Sequence, residues 1–225
     1  MWEVQDRSRR KDKESVATTK GRKSAGTSRR RSRPSPRERL LASATHLFST
    51  EGVRVIGIDR ILREADVAKA SLYSLFGSKD ALVVAYIEQL DVAWRAAWSE
   101  RTKDMKEPDA KILAFFDQYI EQMPAENYRG SHFMNAVGEY PKPETEAEQE
   151  IIRAVMDHRR WCQETLTQLL TERNGYPSAA QAGHLLIFLD GGVAGSRVAR
   201  STKPLEEARG LARQMLAEPP ADYSI

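Results

Sequence analysis

Six residues in the first third of the chain, 69–74, carry side chains suited to hydrogen bonding with an anionic surface. The stretch reads KASLYS and holds Lys69, Ser71, Tyr73 and Ser74. Ammonium, phenol and hydroxyl groups donate to phosphate oxygens and to the edges of bases, and small neighbours let a backbone approach them. Lys69 and Tyr73 lie one helical turn apart, so they share one side of a helix. The row predicts a surface that faces DNA.

His158 and Cys162 form a second pair of residues whose side chains could bind a metal or take part in redox chemistry. They lie four residues apart and therefore on one helical face. Such a pair is half of a metal or redox site, but two ligands are too few and no Cys-x-x-Cys lies nearby. A buried thiol beside a hydrogen-bonded imidazole is the favoured alternative. No Ser/His/Asp spacing, carboxylate pair or metal cluster stands out. We therefore expect no catalytic residue, no metal and no cofactor, and a protein that is not an enzyme.

The charge of the chain is unevenly distributed. Residues 1–39 hold 14 Lys and Arg against 5 Asp and Glu, whereas the remainder holds 21 against 27. Residues 1–35 are rich in Ser, Lys and Arg without apolar periodicity, which predicts a disordered basic arm. The arm is either a solvated tail or a segment that touches DNA phosphates, and an anionic membrane surface is a further alternative partner.

The sequence also bears on the cellular compartment. The single cysteine, Cys162, excludes an intrachain disulfide and fits a reducing environment. No apolar run reaches the length of a membrane span, and the basic N-terminus lacks the apolar stretch of a secretory signal. We expect a soluble cytoplasmic protein without a membrane partner.

Apolar residues recur at helical spacing from about residue 37 to residue 217, with no credible strand, which predicts an all-α fold. Gly52 and Gly77 are expected to end helices, and Ser78 is expected to cap the next one. The expected helices cover about 37–51, 58–65, 68–76, 79–101, a segment from Pro108, 144–173, 178–200 and 204–217.

Two blocks of this pattern, RERLLASATHLFSTEG at 37–52 and IDRILREADVAKASLYSLFGSKDAL at 58–82, resemble the DNA-binding domain of the TetR family of bacterial transcription regulators. The resemblance rests on residues at fixed spacing, namely Phe48, Gly52, Ile61, Leu72, Tyr73, Phe76 and Lys79. It implies a helix-turn-helix domain at 36–82, a helical regulatory and dimerisation domain at 83–218, and a tail at 219–225.

The resemblance implies that the second helix of the motif enters the major groove. In the family, the residues at the positions of Tyr73 and Lys79 commonly grip backbone phosphates, and packing of Tyr73 against the first helix is the alternative. The expected DNA-binding residues are Lys69, Ala70, Ser71, Tyr73, Ser74, Lys79 and Arg60.

Two positions depart from the family pattern. Asp66 replaces the usual glycine of the turn, and aspartate tolerates the left-handed conformation that the turn needs. Ile56 and Gly57 stand where the family carries hydroxyl side chains that bind phosphate. Arg54, Arg60 or the basic arm are expected to replace that contact.

The resemblance further implies dimerisation and a small-molecule site in the second domain. Aromatic residues are dense there, and they form either an ordinary core or the lining of an apolar pocket. The expected pocket residues are Trp94, Trp98, Phe116, Tyr119, Phe133, Asn135, His158 and Trp161. Residues 178–217 are the expected homodimer face, which would set two recognition helices about 34–36 Å apart, or a multiple of that distance, on a near-palindromic operator.

These expectations describe a dimeric repressor that a small apolar ligand releases from DNA. The helix at 79–101 would couple the two domains, because it starts in one and runs past Trp94 and Trp98 in the other. A transcriptional activator of the same family is one alternative, and an enzyme with a vestigial helix-turn-helix is another.

Overall fold

The computed structural model describes residues 33–218 of the chain. This part of the chain contains nine α-helices and no β-strand. The helices are α1 (Pro36–Glu51), α2 (Ile58–Ala65), α3 (Lys69–Phe76), α4 (Lys79–Thr102), α5 (Pro108–Ala125), α6 (His132–Glu139), α7 (Glu146–Asn174), α8 (Ala179–Ala199) and α9 (Lys203–Ala217). The expected all-α fold is confirmed. Most of the expected basic arm and all of the expected tail lie outside the described residues.

Local signals account for the ends of several helices. Ser35 and Glu38 form a capping box at the start of α1, and the Ser78 hydroxyl accepts the N–H of Ala81 at the start of α4. Asp66 adopts the expected left-handed conformation, with φ 53° and ψ 54°. Gly52 also has a positive φ of 109°, but its ψ of 159° is extended, so the chain leaves α1 without the expected left-handed helical cap.

The first three helices enclose a small core that fixes α3. Leu47, Phe48, Ile61 and Leu72 are buried in it, and Phe48 packs edge-on against Tyr86 of α4 with ring centroids 5.5 Å apart. Leu62 is buried as well, whereas Ile58, Val67 and Phe76 are only partly buried at the edge of this core. Because α3 is held through one buried leucine, its opposite side remains exposed.

Helix α4 belongs to both domains, because it crosses the expected boundary between residues 82 and 83 without a break. Its first half packs against α1, and the helix also packs against α5 and α7 of the second domain. The large aromatic residue Trp94 is buried in the second half of α4. The N-terminal domain and the interior of the second domain therefore share one continuous helix.

Helices α8 and α9 pack closely because two glycines leave room between them. A Cβ atom on Gly192 would lie 2.9 Å from Cβ of Ala208, and one on Gly195 would lie 2.9 Å from Cβ of Pro204. The small residues of α8 thus serve packing within the chain. Within residues 33–218, no helix is long and apolar enough to span a membrane.

Candidate nucleic-acid interface and ligand cavities

The outer side of α3 presents the residues that the sequence predicts for DNA contact. Lys69, Ala70, Tyr73 and Ser74 are exposed, and Ser71 is half-buried beside them. Tyr73 is 46% exposed, which does not fit the alternative of packing against α1. Small side chains between the lysine and the phenol leave the α3 backbone open to a close approach.

The charge on this surface is only loosely paired. The Lys69 ammonium lies 3.9 Å from the Asp59 carboxylate, and both side chains are mostly exposed. A pair of this length and exposure contributes little to stability, so it opens at small cost. Lys69 is therefore available to a phosphate or to a guanine edge.

The other two expected DNA-binding residues are engaged within the chain. The Lys79 ammonium donates to the carbonyl oxygen of Val53 at 2.7 Å, and its partial burial lowers the pKa of the lysine. The Arg60 guanidinium forms two hydrogen bonds of 2.5 and 2.6 Å with the carboxylate of Glu51, which lowers the pKa of that carboxyl. An ammonium has three N–H donors and a guanidinium has five, so either residue can contact a phosphate through its remaining donors or by exchanging these partners.

Sequence reasoning missed a contact that ties the α1–α2 connection to α6. The Glu139 carboxylate accepts the backbone N–H of Val53 at 3.0 Å and that of Arg54 at 2.6 Å, an arrangement we call the Glu139 clasp. A Cβ atom on Gly52 would lie 3.0 Å from the same carboxylate, so glycine is needed there. The partners lie more than 80 residues apart, and no local sequence signal marks them.

Arg54 reinforces the same junction. Its guanidinium forms an ion pair of 2.9 Å with Glu148 at the start of α7 and stacks over the ring of Tyr140, 4.7 Å from the ring centroid. The arginine expected to replace a missing phosphate contact is thus bound to the second domain.

The second domain holds an apolar cavity of about 370 Å³ among α4, α5, α6, α7 and α8. Four of the expected pocket residues line it, and most of the other lining side chains are apolar. The lining includes Trp94, Tyr119, Phe133, His158, Cys162, Leu186, Leu189 and Val193. We call this space the apolar cavity.

A neighbouring cavity of about 440 Å³ lies between α4 and α5 and shares Trp94, Tyr119 and Phe133 with the apolar cavity. Two buried polar atoms of its lining have no partner among the described residues, the indole nitrogen of Trp94 and the side-chain oxygen of Gln118. The amide nitrogen of Gln118 donates to the backbone oxygen of Trp94 at 3.2 Å, so the two residues lie together. Because buried polar groups are nearly always satisfied, this donor and this acceptor indicate space for a polar ligand group.

Four expected pocket residues line neither cavity. Phe116 is 1% exposed within the core, and Trp98 and Trp161 pack edge-on to each other with centroids 5.8 Å apart. Asn135 instead donates to the backbone oxygen of Arg129 and accepts from the guanidinium of Arg197. The aromatic residues thus form a cluster around Trp94 rather than a continuous wall.

His158 and Cys162 do share a helical face, and Asp91 joins them. The Asp91 carboxylate lies 2.7 Å from Nδ1 of His158, whose Nε2 lies 3.6 Å from Sγ of Cys162. Burial lowers the pKa of His158 against the opposing effect of Asp91, and the Phe133 ring stacks on the imidazole at 3.7 Å. Within residues 33–218, no group of three potential ligands could hold a metal ion. The arrangement is the buried thiol beside an imidazole that the spacing favours.

Burial also raises the pKa of the Cys162 thiol to about 12, so we expect this thiol to react slowly in the folded protein. At pH 8 only about one thiol in 10,000 would be ionised, and the thiolate is the reactive form. Iodoacetamide labelling followed by intact mass should show little adduct under native conditions and one adduct in urea, since the chain has one cysteine. Complete labelling of the folded protein within minutes would contradict this assignment.

Comparison with known proteins agrees with the helix-turn-helix. The family described as "Bacterial regulatory proteins, tetR family" matches residues 40–86. The HTH-type transcriptional repressor NemR of Escherichia coli K12 is 32% identical over 91 residues, which are 38% of this chain and 44% of that protein. The HTH-type transcriptional regulator LmrA of Bacillus subtilis 168 is 29% identical over 83 residues, 36% of this chain and 44% of that protein. These matches therefore span less than half the length of either relative.

Solved structures extend the similarity to both domains. SCO4454, a TetR-family transcriptional regulator from Streptomyces coelicolor, superposes with a TM-score of 0.73 and 33% identity over 82% of this chain and 95% of that one. The reduced form of E. coli NemR superposes with a TM-score of 0.69 and 26% identity over 83% of this chain and 100% of that one. The chain therefore belongs to the TetR family of transcriptional regulators, which are not enzymes.

Proposed function

We propose that this regulator is a dimeric repressor that holds a near-palindromic operator and releases it when a small, mainly apolar ligand fills the cavity region. One observation carries the proposal: α4 begins beside the exposed α3 surface and continues to Trp94, which lines both cavities. A single rigid element thus joins the candidate DNA-reading surface to the candidate ligand site.

Exposed apolar residues support the assignment of residues 178–217 as the dimer face. Ile187 and Val198 on α8 and Leu211 on α9 are 63%, 87% and 51% exposed. Apolar side chains of this size on two adjacent helices favour burial against a partner. A twofold pairing of these helices would form a four-helix bundle and place two α3 helices on one duplex.

The composition of the cavities supports the ligand class. The apolar cavity is large enough for a small organic molecule and is lined mainly by carbon. The unpaired Trp94 indole N–H and Gln118 oxygen next to it favour a ligand that carries one hydrogen-bond acceptor and one donor. Such a molecule would satisfy both groups, whereas a pure hydrocarbon would leave them buried and unpaired.

Release follows if the ligand binds better to a conformation in which the two α3 helices no longer match the groove spacing. Two contacts transmit a shift of the cavity walls to the first domain. Helix α4 transmits it directly, and α6, which contributes Phe133 to the cavity, ends in the Glu139 clasp on the α1–α2 connection.

Selection of duplexes from a random pool tests this function, followed by fluorescence anisotropy on the enriched sequence and a ligand screen for release. We expect a near-palindrome with half-sites about one helical turn apart, or a multiple of it, bound by a dimer. A reporter driven by that operator separates the repressor from the activator alternative. The proposal fails if no sequence is enriched or if the protein is monomeric at the concentrations that bind DNA.

A further inference from the structure

A polar cleft of about 580 Å³ lies where the last turn of α1, the α5–α6 connection and the end of α8 meet. Three guanidinium groups converge on it, those of Arg129, Arg197 and Arg200. We call it the arginine cleft. It shares Glu126 and His132 with the cavity between α4 and α5 but no lining residue with the apolar cavity, and the interface on α3 makes no use of its arginines.

Among residues 33–218, none of these three arginines forms an ion pair within 4 Å, although Arg129 lies near Glu51 and Glu139. Arg197 donates to the amide oxygen of Asn135 at 2.6 Å, and Arg200 donates to the amide oxygen of Asn127. The Nε atom of Arg129 is buried and has no hydrogen-bond partner among the described residues. Guanidinium groups bind most strongly to carboxylates and phosphates, so two that are held by neutral amides and a third without a partner at Nε leave much of their binding capacity unused.

The one carboxylate that lines the cleft is already occupied. Glu126 accepts from Nε2 of His132 at 2.8 Å and from the side-chain nitrogen of Gln122 at 2.9 Å. Hydrogen bonding to His132 lowers the pKa of Glu126 against the effect of its burial. Its carboxylate still contributes one negative charge to the cleft, so the three arginines exceed it by two positive charges.

The backbone and the packing hold these guanidiniums in place. Asn127 and Tyr128 adopt consecutive left-handed conformations, with φ of 54° and 56°, which turn the Asn127 amide toward Arg200. The stem of Arg197 lies against Gly130, where a Cβ atom would come within 3.3 Å of the arginine Cδ. Non-glycine residues with positive φ persist where the surroundings enforce them, often at binding sites. Contacts with Asn127, Asn135 and Gly130 thus orient the exposed side chains of Arg197 and Arg200.

We propose that the arginine cleft binds a compact polyanion of the phosphate class, such as a small phosphorylated or diphosphate-bearing molecule. Three convergent guanidiniums suit the several oxygens of a phosphate or diphosphate, and the concave shape suits a small molecule more than an extended DNA backbone. The bound anion would join α1 of the DNA-binding domain to the end of α8, the proposed dimer helix. It acts as a second effector site, separate from the apolar ligand.

Inorganic pyrophosphate is the probe, titrated calorimetrically into the full chain with ionic strength held constant by NaCl. The wild type is expected to bind with one saturable site per chain. The double variant Arg197→Gln/Arg200→Gln is expected to raise the dissociation constant at least about tenfold, since it removes two charge-assisted contacts. Both side chains are exposed, so the fold should survive, and circular dichroism checks this.

The matched control is Arg160→Gln, which removes an exposed α7 guanidinium whose partner is Asp157 at 2.9 Å. It should leave the dissociation constant for pyrophosphate unchanged. The proposal is overturned if the wild type shows no saturable binding or if the double variant binds as tightly as the wild type. It is also overturned if the double variant loses only DNA affinity while pyrophosphate binding persists, because the arginines would then contact the DNA backbone.

Discussion

Replacing Lys69 and Tyr73 together by alanine is expected to weaken binding of the selected operator by about 100-fold or more. Both side chains project from the exposed side of α3, and each lost base or phosphate contact costs about 1–3 kcal/mol. Stability should change little, because α3 is anchored by the fully buried Leu72 and neither replaced side chain is part of that core. Fluorescence anisotropy on the selected duplex measures the affinity, and thermal unfolding measures the stability.

The control for this variant is Lys103→Ala/Tyr176→Ala, which removes the same side-chain types from exposed sites elsewhere. Tyr176 is 44% exposed against 46% for Tyr73, and Lys103 is an exposed lysine just after α4. The control should bind DNA as the wild type does. In the α3 variant, the dependence of the binding constant on salt should also fall by about two ions per dimer, because neither copy of Lys69 displaces a counterion any longer. Full operator affinity in the α3 variant would refute the assignment of this surface.

The elements that sequence predicts well are those governed by neighbours in the chain. The bounds of α2 follow from four apolar residues at helical spacing between Ile58 and Ala65, and the structure reproduces them. Asp66 adopts its left-handed turn, and Ser78 caps α4, because each depends on backbone groups a few residues away. For the same reason, the exposed side of α3 could be read from the sequence, since one buried leucine determines which side faces inward.

The lining of the ligand cavity could be predicted only in part, because burial and cavity lining have the same sequence signature. Phe116 and Tyr119 lie on one helix and are both buried, yet Tyr119 borders the cavities and Phe116 does not. Which aromatic side chain leaves a gap depends on how five helices pack. The unpaired polar atoms of Trp94 and Gln118, which line the cavity between α4 and α5, become visible only in the folded structure.

Contacts between distant segments lie beyond local sequence patterns altogether. Lys79 fits the family position for a phosphate contact, yet its ammonium binds the carbonyl oxygen of Val53, 26 residues earlier. The same α1–α2 connection donates the backbone N–H groups of Val53 and Arg54 to the Glu139 carboxylate. The sequence predicts the helix of Lys79 but not α6, which carries Glu139, and the segment that both side chains bind is defined only by the fold.

Replacing Glu139 by alanine is expected to destabilise the protein by about 2 kcal/mol and to loosen the α1–α2 connection. The variant removes the acceptor of two backbone N–H groups, and that of Val53 is buried with a side chain only 2% exposed. A buried donor left without a partner costs about 1–3 kcal/mol. Chemical denaturation measures the loss of stability, and hydrogen exchange at Val53 and Arg54 should accelerate more than exchange in the α4 interior.

Glu139→Gln separates the clasp from general destabilisation, because an amide offers one acceptor oxygen where the carboxylate offers two. It should keep one of the two hydrogen bonds and lie between wild type and Glu139→Ala in both stability and exchange. Glu144→Ala removes an exposed carboxylate in the α6–α7 connection; it is the control and should match the wild type.

If the clasp carries coupling from the cavity to the DNA-binding domain, Glu139→Ala should also reduce the loss of operator affinity that ligand causes, while the ligand still binds. Unchanged exchange at Val53 and Arg54 would show that the Glu139 clasp does not hold the connection, which Lys79 and the contacts of Arg54 with Glu148 and Tyr140 would then fix.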